Sequence, residues 1–592
     1  MDSWRSSNDA TSLARVFAVP LHNHPTKGTC MRPRTTHLLA ALILAFGAAG
    51  AAVAQAGPAV PTYPASDYIQ QAPGRPGGVL VTSASYEAGS FDIHKLHAGN
   101  LLWQSRLVFD SLVYLDSAGA AMPWLAKSWT VSPDGRVVTF RLREDVTFSD
   151  GTRFDAEAVR INFERIKKLG TQSRIAAAYL SPYVEGVAVD TYTFEARLDA
   201  PYPAFLSFLA QTWLGFISPR QISGDPASIG ERPVGTGPFV VTEYAPGKRA
   251  VLARRADYAW APDYLRHAGP AYLDGIVIEA VPDDAARTAS LQQGRHQLTF
   301  EAPLTDGQRL RADPGLVFYN RVRPGSPMRS LAFNTARFPF DDVRIRRAAA
   351  IAIDRERVTR ELSAGEFIAK ADYLGTNTPG YVDTYRHVLA YDPAGAAALL
   401  DQAGWTERDR DGIRSKGGRR LSAELLTTGD ERTPPASVLA IQSGLKAVGI
   451  ELRLKPVAGA DLPAAVRAGA YDALTGGWWS AATPDVLFLL YHSSQTARQN
   501  TFGQDTGRIA DPVLDDLLLR ARRSRDANER DALYRQAQKL LTELVPVVPL
   551  HESHHLVAYS RQLKGVLFDT THNTPILTGA WLAPAEEVAK ER

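Results

Sequence analysis

Short apolar runs separated by Gly, Pro and Asp set the rhythm of this chain from Val79 onward. Ser132-Pro133-Asp134-Gly135 stands between Trp129 and the run Val137–Leu142, an order that predicts a hairpin. Asp155 precedes Val159, Phe163 and Ile166 at helical spacing, and Gly170 follows, which predicts a capped helix. Asp392-Pro393 opens a second helix as N-cap and first residue, closed at Gly404. Asp511-Pro512 repeats that start, with Leu514, Leu517 and Leu518 on one face. Asp526 starts a further helix carrying Leu533, Ala537, Leu540, Leu541 and Leu544. Val545–Leu550 and Leu556–Tyr559 read as strands. Helices and strands mixed in this way predict an α/β protein, and the absence of any repeat or long linker after residue 78 favours lobes that share crossovers.

One long apolar run, residues 38–53, precedes this pattern. Arg32 and Arg34 lie before it, and Ala52-Val53-Ala54 and Ala54-Gln55-Ala56 offer small residues at cleavage spacing, so it reads as a signal peptide over residues 1–56. The alternative is a membrane anchor, but its 16 residues fall short of the roughly 20 a spanning helix needs. Met31 sits just before the charged segment and reads as the true start. Residues 57–78 are rich in Pro and Gly and form a flexible leader.

Removing the leader changes the charge. The 592 residues hold 66 Lys+Arg against 63 Asp+Glu and one Cys. Residues 1–56 take five basic residues, two acidic residues and Cys30, leaving 61 of each sign and no thiol. Such a chain offers no disulfide scaffold, no Cys-ligated metal and no basic surface for nucleic acid. It is expected to be exported, periplasmic, monomeric and free of cofactors.

Several motifs resemble catalytic ones. His551-Glu552-Ser553-His554-His555 matches HExxH, which chelates zinc only where the two His share a helix face. Pro546 and Pro549 argue for a strand instead, on which the two rings would stand roughly 13 Å apart. An exported zinc hydrolase using His551, Glu552 and His555 stays as the alternative of a different class. Glu407, Asp409, Asp411 and Gly412 resemble the front of a calcium loop, but Gly418 stands where a Glu is required, and Gly417-Gly418 predicts a hairpin. Gly235-Thr236-Gly237-Pro238 leads into Val240-Val241 and reads as a structural turn rather than a phosphate loop. No metal site or catalytic residue is assigned.

Gly476-Gly477-Trp478-Trp479-Ser480 follows the short run Tyr471–Leu474. Two indoles beside glycines at a strand end present flat apolar faces to a ligand. Adjacent strand residues point to opposite faces, so one of Trp478 and Trp479 contacts ligand while the other packs inside.

These residues carry a resemblance. Phe91-Asp92-Ile93-His94, Asp110-Ser111-Leu112-Val113, Pro123-Trp124-Leu125-Ala126, Ser128-Trp129 and Phe148-Ser149-Asp150-Gly151-Thr152 are similar, in order and spacing, to the extracytoplasmic solute-binding proteins of family 5, the peptide and nickel binders of ABC importers. Phe333-Asn334-Thr335, Ala352-Ile353-Asp354-Arg355, Tyr391-Asp392-Pro393 and Ala403-Gly404-Trp405 continue it, over roughly residues 79–565. The resemblance implies a two-lobed (type II, Venus-flytrap) periplasmic-binding fold with an extra subdomain in the first lobe. The lobes are expected at 79–300 and 301–545, with 546–592 returning to the first, and hinge strands near Leu298–Pro303 and Val545–His551. It implies capture of a peptide-like or other small organic solute and delivery to a membrane permease. Candidate ligand contacts are Trp478, Trp479, Asp485, Asn334, His94 and Arg432. Where peptide-binding members carry an amine-holding Asp, this chain has Ala481. A metal chelate held with Trp478 and His492 is the alternative ligand within the same family.

Overall fold

The computed structural model describes residues 63–86, 89–96, 102–325, 329–367, 369, 372–428, 436–458, 461–475, 481–497, 503–552 and 554–590. The signal segment, Trp478, Trp479 and Arg432 lie outside them. The described strands form two principal sheets. The first has seven strands in the order 316–322, 554–560, 298–300, 79–84, 275–280, 249–254 and 239–245. Val79–Ala84 pairs in parallel with both of its neighbours, 275–280 and 298–300. The second has five strands in the order 451–457, 422–428, 473–475, 329–333 and 547–551.

Between strands 79–84 and 239–245 the chain inserts an antiparallel four-stranded sheet in the order 126–131, 137–142, 193–198 and 183–190. The hairpin at Ser132–Gly135 joins its first two strands, and Gly135 takes φ 74° there. Helix Ala156–Leu169 lies on this sheet and buries Val159, Phe163 and Ile166. Its Asp155 carboxylate accepts from the Ala158 N–H, and Gly170 ends it at φ 55°. The same capping logic holds at Asp392, Asp511 and Asp526, each of which accepts from backbone N–H groups of the helix it opens. Gly235 and Gly237 are structural: a Cβ would meet the Val108 carbonyl oxygen at 2.1 Å and the Val108 carbonyl carbon at 2.4 Å. Gly417-Gly418 turns the small hairpin between Arg414–Lys416 and Arg419–Arg420, both at positive φ.

The chain passes between the two principal sheets twice. Leu316–Val322 pairs in the first sheet, beyond the boundary expected at 300, and the following strand Arg329–Phe333 pairs in the second. Val547–His551 pairs in the second sheet, beyond the boundary expected at 545, and His554–Ser560 in the first. The expected divisions fall short because short loops in the sequence look alike whether they turn within a sheet or leave it. The strand ends on either side of these passages are paired: Val322 is opposite His554, and Arg329 is opposite His551.

Candidate functional site

The structure engages three of the expected ligand residues in the framework. The His94 ring is 1% exposed. Its Nε2 lies 3.0 Å from the Gly215 carbonyl, and Arg165 Nη1 lies 2.8 Å from its Nδ1. Burial, reinforced by the Arg165 cation, pushes its pKa down to about 3. The neutral ring therefore donates from Nε2 and accepts at Nδ1. Asn334 donates to the carbonyls of Tyr471 (2.9 Å) and Gly469 (3.3 Å) and accepts from the Ala336 N–H. These contacts stand in place of the ligand contacts expected at both residues.

Asp485 forms a clasp. Its Oδ1 accepts from Tyr534 (3.0 Å), and its Oδ2 accepts from Tyr202 (2.8 Å) and Arg522 (2.9 Å). Arg522 also stacks over the Tyr202 ring at 4.4 Å and donates to Ser181 Oγ at 3.2 Å. Tyr202 and Ser181 belong to the insertion in the first sheet, whereas Asp485, Arg522 and Tyr534 belong to the stretch between two second-sheet strands. Arg174 reaches Gln504 at 2.5 Å and Arg525 reaches the Pro133 carbonyl in the same sense. Burial raises the Asp485 pKa, and the Arg522 charge opposes that rise. Asp485 therefore holds two parts of the protein together rather than reaching a ligand.

His551 and His555 do not share a helix. His551 ends a second-sheet strand and His555 lies in a first-sheet strand. Both Glu552 oxygens accept from Thr376, one from its N–H and one from its hydroxyl. Among the described residues, no group of three His, Cys, Asp or Glu could hold a metal ion. His492 accepts from the Ser494 N–H as a local cap, and Ala481 is buried.

A different set of residues, missed in the sequence, has the character of a binding wall. Helix Leu102–Arg106 and the turn Thr212–Leu214 pack together at the two ends of the insertion. Trp103 lies 5.6 Å from Phe300, which lies 4.8 Å from His555. Trp213 lies 5.1 Å from His572 and 5.6 Å from Tyr179. Trp103, Gln104, Gln211, Trp213, His555 and His572 are all at most 1% exposed. Yet the indole N–H groups of Trp103 and Trp213, both amide atoms of Gln104 and of Gln211, both nitrogens of His555 and Nε2 of His572 have no hydrogen-bond partner. An unpaired buried polar group costs about 1–3 kcal/mol, and here several lie together. Burial holds both imidazoles well below their ordinary pKa, and neighbouring Arg323 adds to the effect. Arg323 is itself 3% exposed, and burial pulls its pKa down to about 10.

A cavity of about 390 Å³ adjoins this wall. Its lining includes Arg106, the last residue of the helix, Ala210, next to Gln211, and Asp569, which lies 3.9 Å from His572 Nδ1. Tyr68, Tyr114, Trp124 and Tyr264 add aromatic faces. A signal for the wall exists in the sequence: Gln104 and Gln211 are amides set inside the apolar stretches 101–109 and 205–217.

A family model described as bacterial extracellular solute-binding proteins, family 5 Middle, matches residues 120–500. The chain is 27% identical over 494 residues to the nickel-binding periplasmic protein of Escherichia coli (strain K12), covering 82% of this chain and 91% of that one. It is 27% identical over 463 residues to the glutathione-binding protein GsiB of Shigella dysenteriae, covering 77% and 85%. Among solved structures, the ABC transporter-associated periplasmic binding protein DppA of Helicobacter pylori, in complex with the peptide STSA, superposes with a TM-score of 0.71 at 24% identity. That match covers 86% of this chain and 99% of DppA.

Proposed function

The chain belongs to the bacterial extracellular solute-binding proteins of family 5, and from that premise we propose that it captures a peptide-like or other small organic solute and hands it to an ABC permease in the membrane. The observation that carries this reading is the wall of buried, unpartnered polar groups at Trp103, Gln104, Gln211, Trp213, His555 and His572. Such a wall is complete only with a solute against it. One lobe is built on the seven-stranded sheet with its insertion, the other on the five-stranded sheet, and the paired strand ends Val322/His554 and Arg329/His551 flank the hinge. Solute shifts the equilibrium toward the closed form, in which Tyr202 meets Asp485. No covalent step is required.

The protein works outside the cytoplasm after loss of residues 1–56, as a monomer that binds no nucleic acid. Among the described residues no helix is long and apolar enough to cross a membrane. A metal chelate is the second reading, favoured by the neutral imidazoles of His555 and His572, whose free nitrogens are suited to a chelated ion. Native mass spectrometry of the protein purified without denaturation tests both. A small organic adduct supports the first reading, and a metal-containing adduct the second. Turnover of a peptide or ester substrate, abolished by a chelator, would overturn both in favour of a zinc enzyme.

A further inference from the structure

The cavity of about 390 Å³ is lined by residues from 68–124, 210, 263–266 and 568–576, and none of the described lining residues comes from the stretch 329–551 that builds the second sheet. Five of the lining residues are aromatic: Tyr68, Tyr114, Trp124, Tyr264 and Phe568. Tyr114 and Tyr264 meet edge to face, with ring centroids 4.9 Å apart. The side supplied by residues 68–69 is fixed in place. Asp67 accepts from the fully buried Arg321 at 2.6 Å, and the Gln70 N–H donates to the Tyr264 carbonyl at 2.9 Å. Tyr68 and Ile69, between those two anchors, therefore belong to a preformed lining.

The charged groups of the lining are engaged by the protein itself. Arg106 donates to Ser111 Oγ (2.8 Å) and the Ala210 carbonyl (2.9 Å) and stacks over Trp124 at 5.0 Å. Asp569 accepts from the N–H and hydroxyl of Thr571, the N–H of His572, and the N–H and hydroxyl of Thr574. Asp116 Oδ1 accepts from the N–H groups of Ala118 and Ala120. Asp263 and Arg266, opposite in sign and one short turn apart, are exposed. A net charge brought inside would lose its water among charges already engaged, whereas a ring meets aromatic faces. An apolar cavity of about 150 Å³ is enough to hold benzene, so this space takes a ring together with its first substituents. Resting on the solute-capture reading above, we infer that the solute carries an uncharged aromatic ring and that this cavity of the first lobe receives it.

Methionine methyl signals test this, because a bound ring shifts a neighbouring methyl through its ring current. The chain lacking residues 1–56 retains Met122 and Met328, and Met122 lines the cavity. Met122→Leu identifies the Met122 signal in the carbon-13 methyl-labelled protein. The probes are phenol, cyclohexanol, which matches it in size without aromaticity, and N-methylpyridinium, an aromatic ring that carries a charge. Phenol is expected to shift the Met122 signal saturably at millimolar concentration, with the other two weaker by about tenfold or more. Tyr114→Leu, which keeps apolar bulk and removes a ring, is expected to weaken phenol about fivefold and to leave cyclohexanol within about twofold. The inference is overturned if phenol leaves the Met122 signal in place, or if cyclohexanol or N-methylpyridinium binds as tightly as phenol. Native mass spectrometry keeps the two readings apart. An adduct that contains an aromatic ring supports the inference; an adduct without one overturns it and leaves solute capture standing. Phenol bound at Met122 in a protein that shows no adduct counts against solute capture and not against the ring preference of the cavity.

Discussion

At Asp485 both carboxylate oxygens have partners, three donors in all, Tyr202 from the first-sheet insertion and Arg522 and Tyr534 from the stretch that carries Asp485. At the helix Leu102–Arg106 and the turn Thr212–Leu214, two indoles and two amides are as deeply buried and have no partner at all. Burial alone therefore does not identify a binding residue. The difference lies in satisfaction: the clasp closes on the protein itself, and the polar groups of the wall have no protein partner. Asp485, after a Thr-Pro pair in the sequence, looks like a ligand contact until its partners are counted.

The sharpest way to break this contrast is Asp485→Ala. It leaves the Arg522 cation buried without its counter-charge, and unfolding in urea is expected to become easier by about 3–5 kcal/mol. A loss below about 1 kcal/mol would show that the clasp is hydrated and that Asp485 is free for other work.

Acid should act next, through imidazoles buried in the neutral form. His94 and His554 are held at about 3 by burial, and His572 is lowered for the same reason, against about 6.5 in an unfolded chain. Between those values the unfolded chain binds more protons, so stability is expected to fall as pH drops from about 6.5 toward about 3 and to level off above it. Urea midpoints measured across that interval give the slope. A flat profile would mean that these imidazoles are already wet.

Tyr202→Phe removes one hydroxyl from the clasp and leaves Asp485 with Arg522 and Tyr534. The expected effect is about 1 kcal/mol on closure, read as a roughly fivefold weaker solute affinity with little change in specificity. Unchanged affinity would place closure elsewhere. The smallest effect is expected from Gln104→Leu in the solute-free protein, within about 0.5 kcal/mol of the parent or slightly more stable, because it deletes an amide that has no partner. A loss above about 1.5 kcal/mol in urea unfolding would show that the amide is satisfied and would erase the distinction.

Much of the framework was legible from the chain. Asp155, Asp392, Asp511 and Asp526 cap the helices they precede because a short acceptor at that position satisfies local N–H groups, a contact decided within a few residues. Pro546 and Pro549 correctly placed His551 on a strand. The requirement for Gly at 235 and 237 could be read as a turn, but its cause, the Val108 carbonyl more than a hundred residues earlier, could not. The passages between sheets were misplaced because strand 316–322 is joined to the first sheet by its partner at 554–560, a pairing no local pattern encodes. The wall was missed for the same reason. Gln104 and Gln211 are distant in sequence, and only the packing of helix against turn reveals that neither amide has been answered.

The paired strand ends, with Val322 facing His554 in one sheet and Arg329 facing His551 in the other, have a mechanical consequence. A single connecting strand is a swivel: it permits twist as readily as bending, and the bodies it joins can meet in many orientations. Two connections whose strand ends are paired on both sides resist twist more than one does. For the closure proposed above, paired strand ends of this kind favour a swing along one arc over free twisting, and the Tyr202–Asp485 contact is the point such an arc would return to.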